Sequence, residues 1–175
     1  MNNWDTSRSD RTIANTIIGT NQADGIYAQI TGSGKTRWRI LHSVIAKNMS
    51  GNTGNGYGIR AFTGDAGSLK AHVFNSIIWW NRREDVMLTW DDLTFKVDHT
   101  DLGVVGAWSG AKCIPGEGNL KVDPKFVASS KADYHLKGTS PLINKGIKKG
   151  MPAIDFEGDK RVKGAAPDMG ADEVR

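Results

Sequence analysis

The residues with the clearest chemical potential in this sequence are aromatic side chains and arginines. Sugars stack their apolar faces on exposed aromatic rings, and arginine donates hydrogen bonds to sugar hydroxyls and carboxylates. This combination predicts a surface that contacts carbohydrate, either a polysaccharide or a cell-surface glycan. The candidate ligand-binding residues are Tyr27, Arg60, Phe62, Trp79, Arg82, Arg83 and Trp90.

Acidic residues offer two further kinds of chemistry. Calcium prefers several oxygen ligands that converge from neighbouring segments. Asp91, Asp92, Asp98 and Asp101 could supply such ligands, but acidic pairs are also ordinary in turns, so we predict no metal and keep calcium as the one cofactor to consider. Glycoside hydrolysis needs two carboxylates about 5 to 10 Å apart. The candidates for that pair are Glu84, Asp85, Asp91 and Asp92.

A polysaccharide lyase would need a base, for which Arg60, Arg82 and Arg83 are available. The sequence does not assemble a complete set of acid and base. We therefore expect a carbohydrate-contacting or structural surface module without complete catalytic machinery. The alternative is a polysaccharide lyase or glycoside hydrolase that acts on acidic glycans.

Composition limits the other classes of function. The chain has 175 residues and a net charge of +4, and its basic residues are interspersed with acidic ones, so we do not predict nucleic-acid binding. No run of 18 apolar residues occurs, so no membrane span is predicted. The opening residues lack the pattern of a signal peptide, which suggests a fragment of a longer protein or a short cytoplasmic gene product. Cys113 has no partner for a disulfide.

The sequence repeats. Residues 15–21, 42–48 and 75–81 each contain a pair of apolar, mostly β-branched residues and a closing asparagine, and each is followed by a second short apolar segment. Ile18 and Ile45 are 27 residues apart, whereas Ile45 and Ile78 are 33 apart. The six extra residues fall in the polar stretch 50–55, which we interpret as an insertion in one loop.

A repeat of this length is too short for a strand–helix–strand crossover and has no helical period. It predicts a parallel β-helix in which Ile18, Ile45 and Ile78 point inward. Because successive coils lie about 4.8 Å apart, equivalent residues stack in columns. Asn21, Asn48 and Asn81 would form one such ladder, and we predict that it is structural, its amides bonding to the backbone of neighbouring turns.

Several ordered motifs between residues 75 and 173 carry a resemblance. They are NSIIWWN at 75–81, GEGN at 116–119, DPKFV at 123–127, SPLIN at 140–144, DFEGD at 155–159 and DMGADE at 168–173. This part of the chain resembles the carboxy-terminal end of bacterial right-handed parallel β-helix proteins of the pectate-lyase-like superfamily, the choice-of-anchor type.

The resemblance implies a single-stranded, right-handed, all-β solenoid of about three to five coils. Coils would occupy residues 1–127, and residues 128–175 would fold back as a cap of the same domain. It also implies an extracellular or cell-surface location. In the fold-back segment, Asp155, Asp159, Arg161 and Asp168 are expected to fix the segment to the coils.

The first coil of a solenoid exposes unpaired backbone groups unless a segment caps it. The only large aromatic residue before Arg11 is Trp4. We therefore predict a homodimer formed through the amino-terminal face, around Ile13 and Ile18, unless Trp4 covers that coil.

Overall fold

The computed structural model describes residues 8–49, 55–64 and 66–174, and they form strands joined by short turns, with one 3₁₀ turn at Ser129–Lys131. The strands are β1 (Arg8–Ala14), β2 (Ile17–Gly19), β3 (Ile26–Ile30), β4 (Lys35–Leu41), β5 (Val44–Ala46), β6 (Ile59–Thr63), β7 (Ser68–Phe74), β8 (Ile77–Trp79), β9 (Val86–Thr89), β10 (Leu93–Asp98), β11 (Asp101–Leu102), β12 (Val105–Trp108), β13 (Lys112–Pro115), β14 (Phe126–Ala128) and β15 (Asp133–Leu136).

The strands stack into three parallel sheets. Sheet A has the order β1-β4-β7-β10-β13, sheet B the order β2-β5-β8-β11, and sheet C the order β3-β6-β9-β12. Each coil contributes one strand to every sheet, so the chain forms four coils and begins a fifth with β13. The predicted all-β parallel β-helix is confirmed.

Coil length varies, although the strand register is continuous. Equivalent residues lie 27 residues apart between Thr16 and Ser43, 33 between Ser43 and Ser76, and 24 between Ser76 and Thr100. The longest coil has its extra residues between β5 and β6, where the insertion at 50–55 is predicted. Residues 50–54 themselves lie outside the described part of the chain.

The core consists of columns of inward residues. Ile45 and Ile78 are fully buried and lie in register with the half-buried Ile18, and Ala61 and Leu88 form a similar column in sheet C. Side chains alternate between the two faces of a strand, so the residues between these point outward. The predicted inward residues therefore form the core.

Polar columns align the corners between sheets A and B. The Thr16 amide donates to Ser43 Oγ at 3.3 Å, the Ser43 amide to Ser76 Oγ at 3.3 Å, and the Ser76 amide to Thr100 Oγ1 at 3.5 Å. The Thr100 amide then donates to Asn119 Oδ1 at 3.1 Å. Each hydroxyl also donates to a carbonyl of its own coil, so this column satisfies its polar groups internally.

The carboxy-terminal segment folds back over sheet B. Its hairpin, β14 with β15, is antiparallel, and Phe126, Tyr134 and Leu142 pack on the outward side of β5 and β8. The Tyr134 hydroxyl donates to the carbonyl of Ala46 at 3.3 Å. Sheet B is thus buried on both faces, whereas the outward faces of sheet C and of most of sheet A face solvent; at Leu41 and Phe74 the segment also borders sheet A. Within the described ranges, no helix has the length and apolar character needed to cross a membrane.

A buried arginine fastens this segment. Arg161 donates to Glu173 Oε1 at 3.1 Å, to Asn15 Oδ1 at 3.0 Å and to His42 Nδ1 at 2.8 Å. The pKa of His42 is lowered to about 3, because burial disfavours the imidazolium and Arg161 repels it. His42 is therefore neutral and accepts from the guanidinium, which links the segment to corners of the first two coils.

The core and the outer face should differ in their sensitivity to truncation. Ile45 is fully buried, so Ile45→Ala should lower the free energy of unfolding by about 2 to 5 kcal/mol through the cavity it leaves. Tyr27 is 49% exposed, so Tyr27→Ala should cost less than about 1 kcal/mol. Denaturant unfolding of both variants measures the difference, and the reverse order would mean that the strands face the other way.

The first coil leaves sheets A, B and C with edge strands, because β1, β2 and β3 each pair on one side only. Ile13 and Ile18 are half-buried there, and Trp4 lies outside the described residues. The homodimer stays a prediction. Light scattering over a wide concentration range should show association of the wild type that Ile13→Lys abolishes; a monomer at every concentration for both chains would contradict it.

Candidate functional site

The outward face of sheet C brings together three of the predicted ligand-binding residues. The Arg60 guanidinium lies 4.7 Å from the Tyr27 ring and 5.6 Å from the Tyr57 ring. Phe62 contacts Tyr27 edge-to-face, with 5.4 Å between ring centroids. We call Tyr27, Tyr57, Arg60 and Phe62 the aromatic–arginine patch. Sequence reasoning missed Tyr57, because it lies in the turn before β6 rather than in a repeated strand position.

Arg60 is already engaged within the protein. Its Nε lies 3.0 Å from Asp24 Oδ2, and its Nη1 donates to Asn55 Oδ1 at 3.2 Å. An incoming sugar would therefore meet a guanidinium whose charge is partly neutralised. A ligand at this patch would therefore contact mainly the aromatic rings rather than an unpaired positive charge.

The remaining predicted ligand-binding residues are dispersed. Arg83 lies 5.9 Å from the Tyr57 ring and borders the patch, and it shares a shallow depression with the exposed Arg82. Trp79 is half-buried against the carboxy-terminal segment, so it covers sheet B instead of facing a ligand. Trp90 is exposed in the turn between β9 and β10, and no ring contact joins it to the patch within the described residues.

The asparagine ladder is built by direct amide contacts. Asn21 Nδ2 donates to Asn48 Oδ1 at 2.9 Å, and Asn48 Nδ2 donates to Asn81 Oδ1 at 2.9 Å. Asn81 Nδ2 continues to Asp85 Oδ1 at 2.7 Å, and Asp85 Oδ2 accepts from the Val104 amide at 2.8 Å. Burial raises the pKa of Asp85, although these hydrogen bonds oppose the shift. Asp85 thus ends the ladder and is not exposed for hydrolysis.

The other acidic candidates do not converge either. Asp91 and Asp92 are exposed in the turn before β10. Asp98 lies 2.6 Å from His72 Nε2 and 3.1 Å from Lys96 Nζ. Partial burial would raise the pKa of Asp98, but the hydrogen bonds from Lys96 and His72 outweigh it and hold the pKa below its usual value. Asp98 is therefore an anion paired with two basic side chains.

Sheet A carries the main concentration of charge on the surface. Alternation places Lys35, Arg37 and Arg39 of β4 on the outward side, and the register sets Arg37 beside Lys70 and Arg39 beside His72. We call this surface the basic face. Its cations are Arg8, Lys35, Arg37, Arg39, Lys70, Lys96 and Lys112.

A cleft of about 750 Å³ opens on this face, lined in part by Arg39, His72, Lys96 and Asp98. A second depression of about 330 Å³ contains Arg37 and Lys70. Among the described residues Arg37, Arg39 and Lys70 form no salt bridge, although Asp10 of β1 lies beside Arg37 in the register. The sequence indicates this face only through the alternation in KTRWR at residues 35–39. The cations that later coils add can be assigned to the face only from the strand register.

Comparison with known proteins finds no matching family model, no curated protein and no solved structure that this chain is similar to. The resemblance to the pectate-lyase-like superfamily therefore stays a prediction.

One buried carboxyl group makes stability depend on pH. Asp101 is fully buried; its Oδ1 accepts from the Val122 amide at 2.9 Å, and its Oδ2 has no partner within the described residues. Burial, with repulsion from Asp85 and Asp123, raises the pKa of Asp101 to about 7. The folded state then holds this proton more tightly than the unfolded chain, whose aspartate titrates near pH 4.

Raising the pH from 5 to 8 should therefore destabilise the wild type through Asp101, by roughly 2 to 3 kcal/mol. Asp101→Asn keeps the oxygen that accepts from Val122 and removes the titration, so its stability should fall less over the same range. Denaturant unfolding at both pH values compares the two, with the exposed Asp91→Asn as the control. An equal fall in wild type and Asp101→Asn would show that Asp101 is ionised at pH 5.

Proposed function

We propose that this protein is a non-catalytic β-helix module that binds acidic polysaccharide on the basic face of sheet A. The observation that supports it is the group of three exposed cations, Arg37, Arg39 and Lys70, which adjacent strands hold side by side and which form no salt bridge among the described residues. Unpaired cations in fixed positions favour an anionic ligand.

The spacing of the basic face suits a polymer. Adjacent strands lie about 4.8 Å apart, and alternate residues of one strand lie about 6.7 Å apart. A chain that runs across the strands would meet Arg37 and then Lys70 in one column, or Arg39, His72 and Lys96 in the next. Arginine binds carboxylates and sulfates through two parallel hydrogen bonds, so uronic acids or sulfated sugars are the expected units.

The aromatic–arginine patch on sheet C gives a second, weaker surface. Its rings could stack a sugar, but its arginine is bound to Asp24 and Asn55. We therefore assign affinity for acidic polymers to the basic face and expect the patch to contribute ring contacts alone. Binding of a neutral polysaccharide would therefore be evidence that the aromatic–arginine patch contacts sugars.

Binding to polygalacturonate tests the proposal. Replacing Arg37, Arg39 and Lys70 together by glutamine should weaken binding at least about tenfold, or 1.4 kcal/mol, and reduce its dependence on salt. The matched control replaces Lys131, Lys137 and Lys145, which are exposed in the carboxy-terminal segment, and it has the same net charge. Affinity electrophoresis or calorimetry measures both triple variants.

Equal weakening in the two triple variants would mean that only net charge matters, and it would contradict a specific face. No binding by the wild type to polygalacturonate, alginate or a sulfated glycosaminoglycan would refute the proposed function altogether.

One observation favours a second candidate, a polysaccharide lyase. His72 faces the cleft beside Arg39, so an imidazole that removes a proton and a guanidinium that neutralises the uronate carboxylate would lie next to each other. Incubation with acidic polysaccharides would then produce unsaturated uronate, seen by its ultraviolet absorbance. His72→Ala should abolish this signal and weaken binding less than Arg39→Gln does; no signal in the wild type would contradict the lyase.

A further inference from the structure

The carboxy-terminal segment contains a cluster of unlike ligating groups. His135 lies in β15, Glu157 in the turn after Ile154, and Asp172 near the end of the segment. One ligand atom from each lies within 4.8 Å of the other two. The cluster is separate from both sheet faces described above, and the asparagine ladder and the Arg161 contacts do not use it.

We propose that His135, Glu157 and Asp172 form a binding site for a divalent transition-metal ion, best suited to Zn²⁺. One imidazole nitrogen and two carboxylate oxygens are a donor set that zinc accepts, with the fourth position left to water. Two negative charges beside a neutral imidazole balance the charge of the ion. Hard cations such as calcium need more oxygen ligands than these three side chains provide.

The distances fit a single ion. Zinc binds nitrogen and oxygen at about 2.0 to 2.2 Å, so two ligands in a tetrahedron lie roughly 3.3 to 3.5 Å apart. The distance from His135 Nε2 to Glu157 Oε1 is 3.2 Å. Asp172 and Glu157 are not fully buried, so small side-chain rotations would bring the remaining oxygen to the same spacing.

A group outside the cluster orients the imidazole. Asp133 Oδ1 lies 2.6 Å from His135 Nδ1. A histidine that ligates a metal commonly donates its other ring N–H to a carboxylate, which fixes both the tautomer and the direction of the free nitrogen. With Nδ1 held by Asp133, Nε2 is directed at Glu157. This carboxylate–histidine arrangement distinguishes the cluster from an ordinary surface ion pair.

A bound ion would join three parts of the fold-back segment. Asp172 immediately precedes Glu173, which binds Arg161, and β15 packs on sheet B through Tyr134 and Leu136. The ion would therefore stabilise the same turn that Arg161 fastens to the coils. Its expected effect is structural, and it does not depend on the proposed binding of polysaccharide.

Zinc titration of the full chain tests the site. The protein is prepared without a histidine tag, treated with chelator, and carries Cys113→Ser so that the thiol cannot contribute a ligand. Calorimetry should show one Zn²⁺ bound per chain, and the ion should raise the melting temperature. His135→Gln should abolish both effects. Asp133→Asn, which changes only the positioning residue, should weaken binding about 10- to 100-fold.

The control is His72→Gln, because His72 also pairs with an aspartate but belongs to no three-ligand cluster among the described residues. It should bind Zn²⁺ as the starting chain does. No binding to the starting chain, or binding that survives His135→Gln, would overturn the proposed site. An Asp133→Asn chain with unchanged affinity would contradict the role of Asp133. A melting temperature for metal-free His135→Gln near that of the metal-free starting chain verifies that the variant folds.

Discussion

In-register parallel stacking is the constraint on which the rest of this structure depends. A residue in one coil lies about 4.8 Å from its equivalent in the next, so its side chain meets a side chain at the same position rather than a complementary partner. The side chains of each column must therefore be able to pack against, or hydrogen-bond to, side chains of the same kind. Apolar columns such as Ile18, Ile45 and Ile78 satisfy this by packing alike side chains, and the Thr16–Ser43–Ser76 column does so because a hydroxyl both donates and accepts.

Amides meet the constraint in the same way. Asn48 accepts from Asn21 through its oxygen and donates to Asn81 through its nitrogen, so the ladder continues in one direction until a residue can only accept. Asp85 is that residue, and its second oxygen is satisfied by the Val104 amide. A buried carboxylate is tolerated there because hydrogen bonds offset part of its desolvation.

A column of like charges would be too costly in the buried core, but it is tolerated on a face that is exposed to water. Sheet B is covered by the carboxy-terminal segment and has apolar outward residues, such as Val44 and Ile77. Sheet A is open to solvent around Arg37 and Lys70, which lie side by side there, and solvent and salt screen their repulsion. Their proximity costs stability without improving packing, which is the physical reason to look for an anionic ligand at this face.

The repeat in the sequence was sufficient to predict the fold and the inward residues Ile18, Ile45 and Ile78 of sheet B. It was weaker for sheet A. One inward column there contains Trp38, Ala71 and Phe95, which share no residue type, although the next contains the alike Ile13, Ile40, Val73 and Val97.

The contacts of the carboxy-terminal segment were also beyond sequence reasoning in detail. Arg161 was expected to fix the segment, but its partners Asn15 and His42 are more than a hundred residues away along the chain. Nothing in their spacing indicates that they meet. Trp79 had two interpretations from the sequence, a ligand-binding ring or a ring covered by the folded-back segment, and it is partly buried in the cluster that includes this segment.

Methyl NOE spectroscopy tests the in-register stacking most directly. Ile45 faces the coil interior, whereas Ile77 and Tyr134 lie on the covered outer side of sheet B. The account predicts cross-peaks from the Ile45 methyl groups to those of Ile18 and Ile78, and none to Tyr134. Cross-peaks between Ile45 and Tyr134, together with loss of those to Ile18 and Ile78, would show a register shifted by one residue and would contradict the stacking from which every column was derived.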